Sequence, residues 1–433
     1  MFDVTVIGGG ISGLLAAWKC HTEGYNVVLL EAKSTIGGNV QTLTSAPYRL
    51  ETGPHSFMGS SEYMWKLINE LKIQSDTRKA TPISKFRYIY RNGLLHVLPM
   101  NVTSFLTTQL LSPFAKLRLM MEPIIPSKAA PGDTAWDFFV RRFGQEAASY
   151  LMSPFVSGIY AGDVKKLGAK AAFPKFWSFE NEHGSMILGA IRFVHDKKKR
   201  LKKEGIEYKG GLFSFNRGLG TLTEHLADRL AGKYLLNSPV KTIEYSDGYY
   251  YVKGDNFTEQ SKTVILATPP SESAGIIKII APKAADNFKT IPMAPVTVIH
   301  WAHKKLNRPF PLGFGFLVPR HYDLNTLGTL FPSQLFPDRS PQSHHLFASF
   351  YGGMHDPEVA EYSDTDLINT LIKEHSVFFH GCLEKPEIIE ILRYTHAIPQ
   401  LLPDHSHKLA GISSQLSNYK GIFLAGNYLT GVG

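Results

Sequence analysis

Cysteine is almost missing from this chain: Cys20 and Cys382 are the only two among 433 residues, far apart and in no metal or redox spacing. Such sparse use argues against a disulfide scaffold and suits a reducing compartment. Long uninterrupted apolar runs are missing too, so no segment reads as a bilayer-spanning helix. There is no sign of disorder, of a solenoid repeat, or of a zinc-finger or RNP-type module, and nucleic acid is not an expected partner. The histidines, His405 and His407 included, fall in no zincin-type or other metal spacing, and no metal is expected. Met1 runs straight into a strand, FDVTVIGGG, so no signal or transit peptide is expected. The expected location is the cytoplasm, peripheral on the cytoplasmic face of a membrane.

The composition, 43% hydrophobic and 19% charged, is ordinary for a globular chain with length for two or three domains. The net charge of +9 favours anionic partners such as acidic lipid or a carboxylate-bearing substrate, without choosing between them.

The first chemistry-bearing stretch is VTVIGGGISGLLAAWKCHTEGYNVVLLEA, Val4 to Ala32. It reads strand, glycine turn, helix, strand. Gly8, Gly10 and Gly13 form G-x-G-x-x-G at the mouth of the helix. The first permits the tight turn, the second lets a pyrophosphate approach the backbone, and the third lets helix and strand pack closely. Ile11 and Ser12 open the helix, whose N-terminus would hold the diphosphate. Glu31 ends the second strand, where a carboxylate accepts ribose hydroxyls and repels a 2′-phosphate, so NADP is disfavoured.

Ala32 leads into Gly37, Gly38 and Asn39, a second glycine pair. It resembles the extended motif of the large FAD-dependent oxidase superfamily that includes amine oxidases and carotene desaturases. In that superfamily the loop LETGPHSF, with Gly53, Pro54 and His55, approaches the flavin ring. The residue matching Val240 reaches the adenine side through its backbone. The strand TVILATPPS carries Ala267. LAGNYLTGVG, with Gly426, Asn427, Gly431 and Val432, resembles the C-terminal flavin motif, in which glycines let the backbone approach the cofactor. In the superfamily a helix follows this motif. The sequence stops at Gly433, which leaves open a longer chain or a site without that wall.

Between the flavin pieces, LTTQLLSPFAKLRLMMEPIIP (Leu106 to Pro126) reads as short amphipathic helices broken by Pro113, Pro123 and Pro126. TAWDFFVRRFGQEAASYLMSPFVSGIYAGD reads as a helix with an aromatic stripe. Two readings stand: a packed helical core, or a monotopic membrane face with Lys116, Arg118, Arg141 and Arg142 at headgroup level. The basic run HDKKKRLKKEGIEYK reads as a solvated loop, with acidic lipid as the alternative.

MSPFVSGIYAGD, KGGLFSFNRGLGTLTEHL, FRYIYRNGLLHVLPMN and LGFGFLVPRHYD resemble the oxygen-dependent protoporphyrinogen oxidase family, in order and over nearly the whole chain. The resemblance implies an α/β (α+β) fold in three parts. A Rossmann-like FAD domain of the p-hydroxybenzoate-hydroxylase type would take 1–76, 214–280 and 405–433. An antiparallel-sheet substrate domain would take 77–93, 188–213 and 281–404. A helical membrane-binding domain would take 94–187. PVTVIHWAH, GFGFLVP, TLGTLF, HLFASFYGG and EIIEILRYTHAIPQ read as strands of the substrate sheet.

The implied cofactor is FAD and the implied reaction is six-electron oxidation of a porphyrinogen with dioxygen as acceptor, giving hydrogen peroxide. The ring would be held roughly 3–3.5 Å from the flavin. Arg87 matches the arginine that pairs with a substrate propionate. Leu317, Leu330 and Phe350 match residues that sandwich the rings. Gly158 matches a position whose carbonyl faces the pyrrole nitrogens. His55 stands where plant-type relatives often carry Asn, and a histidine there could accept a proton. Ala161 replaces a glycine found in some relatives. The expected partners are a porphyrinogen, dioxygen, a membrane surface and a second copy of the chain. Three alternatives stay open: coproporphyrinogen III as substrate, an amine or polyene as substrate, or a flavin-poor porphyrin-binding scaffold. Asn427 argues against the amine reading, because amine oxidases usually carry Glu there.

Overall fold

Two seven-stranded sheets and a helical block organise the chain in the computed structural model, which describes residues 1–126, 130–204, 209–305, 310–381 and 386–431. Cys382 and Val432 lie outside the described residues.

The first sheet is built on Phe2–Ile7, flanked by Val27–Leu30 and Thr258–Leu266, both parallel to it. Val27–Leu30 is buried at every position, as an apolar run covered on both faces should be. The first half of Thr258–Leu266 pairs with the hairpin Val240–Ser246/Tyr249–Gly254, and its last residues pair in parallel with Ile422–Leu424. The expected strand–glycine–helix unit, the hairpin and the C-terminal strand thus meet in one sheet. Helix Ile11–Thr22 packs on it with Leu14 and Ala17 fully buried.

The second sheet runs in the order 387–399, 293–304, 344–352, 326–330, 315–317, 87–91, 94–97. The five runs expected for a substrate sheet are all in it. Neighbours are antiparallel except Gly315–Leu317 with Arg87–Arg91. Side chains alternate between its faces. Ile299, Trp301, Phe316, Phe347 and Tyr351 point to one face and pack with Leu367, Leu371 and Phe378 of helix Asp364–Phe378. Val298, Ala348, Leu330 and Phe350 belong to a separate cluster on the other face.

Short helices are broken at Pro113 as expected: Val102–Thr107 ends before it and Pro113–Met120 starts on it, where its missing N–H is harmless, with Ser112 as cap. The middle of the chain departs from its reading elsewhere. The single helix expected from TAWDFFVRRF onward is divided at Gly144, which has φ 85°. The basic run is mostly helix, Met186–Lys203, with Lys197 and Arg200 paired to Glu62. Arg142 is not at a headgroup surface: it is fully buried and ion-paired with Glu122, whose carboxylate also accepts from the Ser185 hydroxyl and Met186 N–H. A guanidinium cannot be buried cheaply without such a partner. Arg118 likewise turns inward onto the carbonyls of Arg141 and Arg142. The block also exposes large apolar side chains: Val102, Phe114 and Ile124 are 74–78% accessible. Among the described residues no helix is long and apolar enough to cross a membrane.

Candidate active site

The cofactor cradle is made of backbone. Gly8 has φ 105°, and a Cβ there would lie 2.7 Å from the Ala267 carbonyl. A Cβ on Gly13 would fall 1.9 Å from the Gly8 carbonyl, so helix and turn can meet only at glycine. Gly10 is the N-cap of helix Ile11–Thr22 and brings no side-chain cap, which leaves the first N–H groups, those of Ile11, Ser12 and Gly13, to an external anion. Gly37 bridges to Gly10, and a Cβ on Gly38 would sit 2.9 Å from the Gly10 Cα.

Glu31 closes the second strand. Its Oε2 accepts from Gly9 N–H at 2.6 Å and its Oε1 from Lys33 N–H at 2.8 Å, which fixes the carboxylate over the glycine turn with lone pairs to spare. The 235–238 segment runs alongside: Ser238 N–H donates to the Glu31 carbonyl at 2.9 Å, and Val240 follows two residues on. Ala267 is held by its N–H on Ile7, and Ala425 by its N–H on Leu266, so the C-terminal turn starts beside the first glycine. Within that turn Gly431 N–H bonds the Asn427 carbonyl, while the Asn427 side chain is exposed. A Cβ on Gly431, at φ 92°, would meet the Tyr160 hydroxyl at 2.7 Å. His405 Nε2, 2.7 Å from the Tyr428 carbonyl, ties the turn to helix His405–Leu416. The first-sheet residues thus fit a dinucleotide: a glycine cradle a side chain would fill, free helix N–H groups and a carboxylate at the strand end.

The second sheet supplies the opposite wall. Arg87 pairs with Gly315, Gly315 with Leu330, Leu330 with Ala348 and Ala348 with His300. Two residues along, Ile89, Leu317, Gly328, Phe350 and Val298 form a second row on the same face. Arg87, Leu317, Leu330 and Phe350 are therefore brought together, from four separate strands, and all four stay half-exposed. Gly158, exposed near the end of helix Ser153–Tyr160, lies against Leu317: a Cβ there would be 2.8 Å from the Leu317 Cδ2. Three residues on, Ala161 caps that helix at φ 45°, so the alanine sits in left-handed backbone that favours glycine.

Arg87 is unpaired: among the described residues no carboxylate lies within ion-pair distance, and its guanidinium stacks over Phe314 at 4.8 Å. Burial lowers its pKa. An uncompensated guanidinium beside apolar walls is a ready anion clamp.

The two halves meet at the loop Gly53–His55. A Cβ on Gly53 would lie 2.2 Å from the Asn39 carbonyl, so the loop is pressed onto the second glycine pair. Tyr394, from the edge strand of the second sheet, donates to the Thr52 carbonyl at 2.7 Å. His55 is buried, with its ring 6.1 Å from Phe350 and 6.1 Å from His300. Burial pushes its pKa down to about 3, with the His300 and Arg339 charges acting in the same direction. Beneath the loop, Glu51 and Arg339 are both buried, 3.6 Å apart. Burial raises the Glu51 carboxyl to about 7, against the pull of Arg339.

His300, Tyr394, Glu51 and Arg339 are absent from the sequence reading. The only local signal was a histidine inside the apolar strand PVTVIHWAH, which is equally the mark of a satisfied core residue.

Residues 11–432 match the family of flavin containing amine oxidoreductases. The mitochondrial protoporphyrinogen oxidase of Nicotiana tabacum is 32% identical over 99% of this chain and 91% of its own length. Coproporphyrinogen III oxidase of Bacillus subtilis is 28% identical over 99% of this chain and 94% of its own. The fold superposes on the crystal structure of a protein from Exiguobacterium sp. 255-15 with TM-score 0.83 and 23% identity, covering 100% of this chain and 95% of that one.

Proposed function

This chain belongs to the flavin-containing amine oxidoreductase family and is an FAD-dependent oxidoreductase, and on that premise we propose that it oxidises protoporphyrinogen IX to protoporphyrin IX by six electrons. Dioxygen is the acceptor in this reading and hydrogen peroxide the second product. The single observation that carries it is the unpaired Arg87 at one end of a half-exposed apolar wall. A flat tetrapyrrole with acidic arms needs such a surface. Names of relatives with end-to-end similarity support the same substrate class.

When bound, FAD accepts a hydride equivalent from a bridge carbon. Gly8, Gly10, Gly13, Gly37 and Gly38 hold it with Glu31, in a domain of the p-hydroxybenzoate-hydroxylase type. Arg87 anchors a propionate by charge-assisted hydrogen bonds. Leu317, Leu330 and Phe350 exclude water and fix the ring plane. The Gly158 carbonyl faces the pyrrole nitrogens. Coproporphyrinogen III is the second reading, favoured by the relatives that carry that name.

The test is porphyrin fluorescence under air with FAD added, both porphyrinogens side by side. A catalysed rise above autoxidation establishes the oxidase, and the faster substrate names the branch. No rise with either removes the porphyrinogen reading.

The exposed apolar face of the helical block supports peripheral docking on a bilayer. The expected outcome is that wild type sediments with anionic liposomes and that Phe114→Asp/Ile124→Asp does not. Equal sedimentation of both removes membrane docking.

A further inference from the structure

One buried cluster at the junction has had no part so far beyond the expectation that His55 could accept a proton. His55 and His300 lie with ring centroids 6.1 Å apart, His55 on the flavin loop and His300 on the sheet. Both ring nitrogens of His55 are buried and have no partner among the described residues. His300 is fully buried, and its Nε2 lies 3.1 Å from the Glu51 carbonyl. A carbonyl only accepts, so Nε2 carries the hydrogen. Burial keeps the ring neutral, so Nδ1 bears a free lone pair, and it too is buried and unpartnered. Three unsatisfied nitrogens in one place are rare in a native interior and ask for a ligand or a proton.

We propose that the pair takes up the proton released in each two-electron cycle of the oxidation, with His55 as the acceptor and His300 as a positioning residue. This rests on the porphyrinogen reading. In each two-electron cycle one bridge C–H bond breaks and both its electrons leave as hydride, for which bound flavin would be the oxidant. The macrocycle is left cationic, and its N–H becomes strongly acidic. In two cycles that N–H bond then breaks and in the remaining one a C–H bond of the last bridge does: the electron pair completes the new double bond and the proton goes to His55. A neutral imidazole of low basicity suffices, because the donor is acidic only after hydride has left. Like charges this close repel, so the pair holds one proton at a time.

Other titratable groups surround the pair. The guanidinium of Arg339 disfavours charge on His55. The carboxyl of Glu51 lies below the loop, Glu390 is opposite His300 in the sheet, and Tyr394 holds Thr52.

The experiment uses the full FAD-loaded chain labelled with 15N-histidine, as wild type, His300→Gln and His55→Gln. Glutamine can still donate to the Glu51 carbonyl but offers no basic nitrogen. In His300→Gln the His55 titration midpoint is expected to rise, since a like charge has been removed. In His55→Gln the His300 midpoint is expected to rise equally, which provides the measurement should His300→Gln fail to fold. In His300→Gln kcat is expected to fall about tenfold, with the acid limb of the pH profile displaced and KM within about twofold. Active wild type with unmoved midpoints and an unchanged pH profile overturns the pair alone. Wild type that oxidises neither porphyrinogen overturns the substrate reading, while the midpoints still report whether the two rings are coupled.

Discussion

The two faces of the second sheet are written by the same strands yet do opposite things. On one, Trp301, Phe316, Phe347 and Tyr351 are at most 2% exposed, packed under helix Asp364–Phe378. His375 Nε2 there reaches Thr329 and Ser349 hydroxyls at 2.8 and 3.0 Å, and Trp301 Nε1–H donates to Ser349 at 2.9 Å, while the Tyr351 and Thr297 hydroxyls are buried without a partner among the described residues. On the other, one residue along each strand, Leu317, Leu330 and Phe350 stay half-exposed and Arg87 has no carboxylate within ion-pair distance among the described residues, while His300 and the loop residue His55 carry buried nitrogens without a partner there. A face completed by its own chain is a core. A face left incomplete in apolar area and charge is a candidate binding surface.

The sharpest way to break this contrast is on the packed face. Trp301→Ala should cost about 3–5 kcal/mol of stability, read as a large fall in Tm. A loss of under about 1 kcal/mol would mean that the two faces are not packed differently. On the open face, Arg87→Ala should leave Tm unchanged and raise KM for the porphyrinogen roughly ten- to a hundredfold, the loss of a charge-assisted hydrogen bond worth about 1.5–3 kcal/mol. Unchanged kinetics would remove Arg87 from the site.

Acid should weaken the packed face next. His375 is neutral in the folded protein, its pKa lowered to about 3 by burial, against 6.5 as its ordinary value. Between these values the unfolded chain binds the extra proton, so stability is full above pH 6.5 and is lost as pH falls toward 3. The slope is about 1.4 kcal/mol per pH unit for one such histidine. Denaturant titrations of His375→Asn should show a shallower acid slope than wild type, and an equal slope would mean that His375 is not buried neutral. The smallest effect is expected at Gly158→Ala. The added methyl meets only the end of the Leu317 side chain, so stability should change by less than about 1 kcal/mol while KM rises a few-fold. A KM equal to wild type would separate Gly158 from the ring-binding wall.

Legibility differed by element in the same way. The glycine turn and Glu31 could be read because their residues are neighbours and each answers to a local demand: a positive φ, a close approach, a strand end. The strands of the second sheet could be read from their β-type runs, but not which face each residue would take. The basic run was misread because charge says little about backbone, and the helix Met186–Lys203 is anchored by Glu62, more than a hundred residues away. Arg142 was misread for the same reason: Glu122, its partner, is found only once the block has folded.

The sequence by itself therefore determined the dinucleotide turn, the strand inventory and, through resemblance, the family. Only the tertiary structure decided that Arg87 has no carboxylate within ion-pair distance among the described residues, that Arg142 has one, and that His55 and His300 are buried side by side. Burial and pairing belong to the packed chain, because desolvation and Coulomb energy depend on neighbours in space.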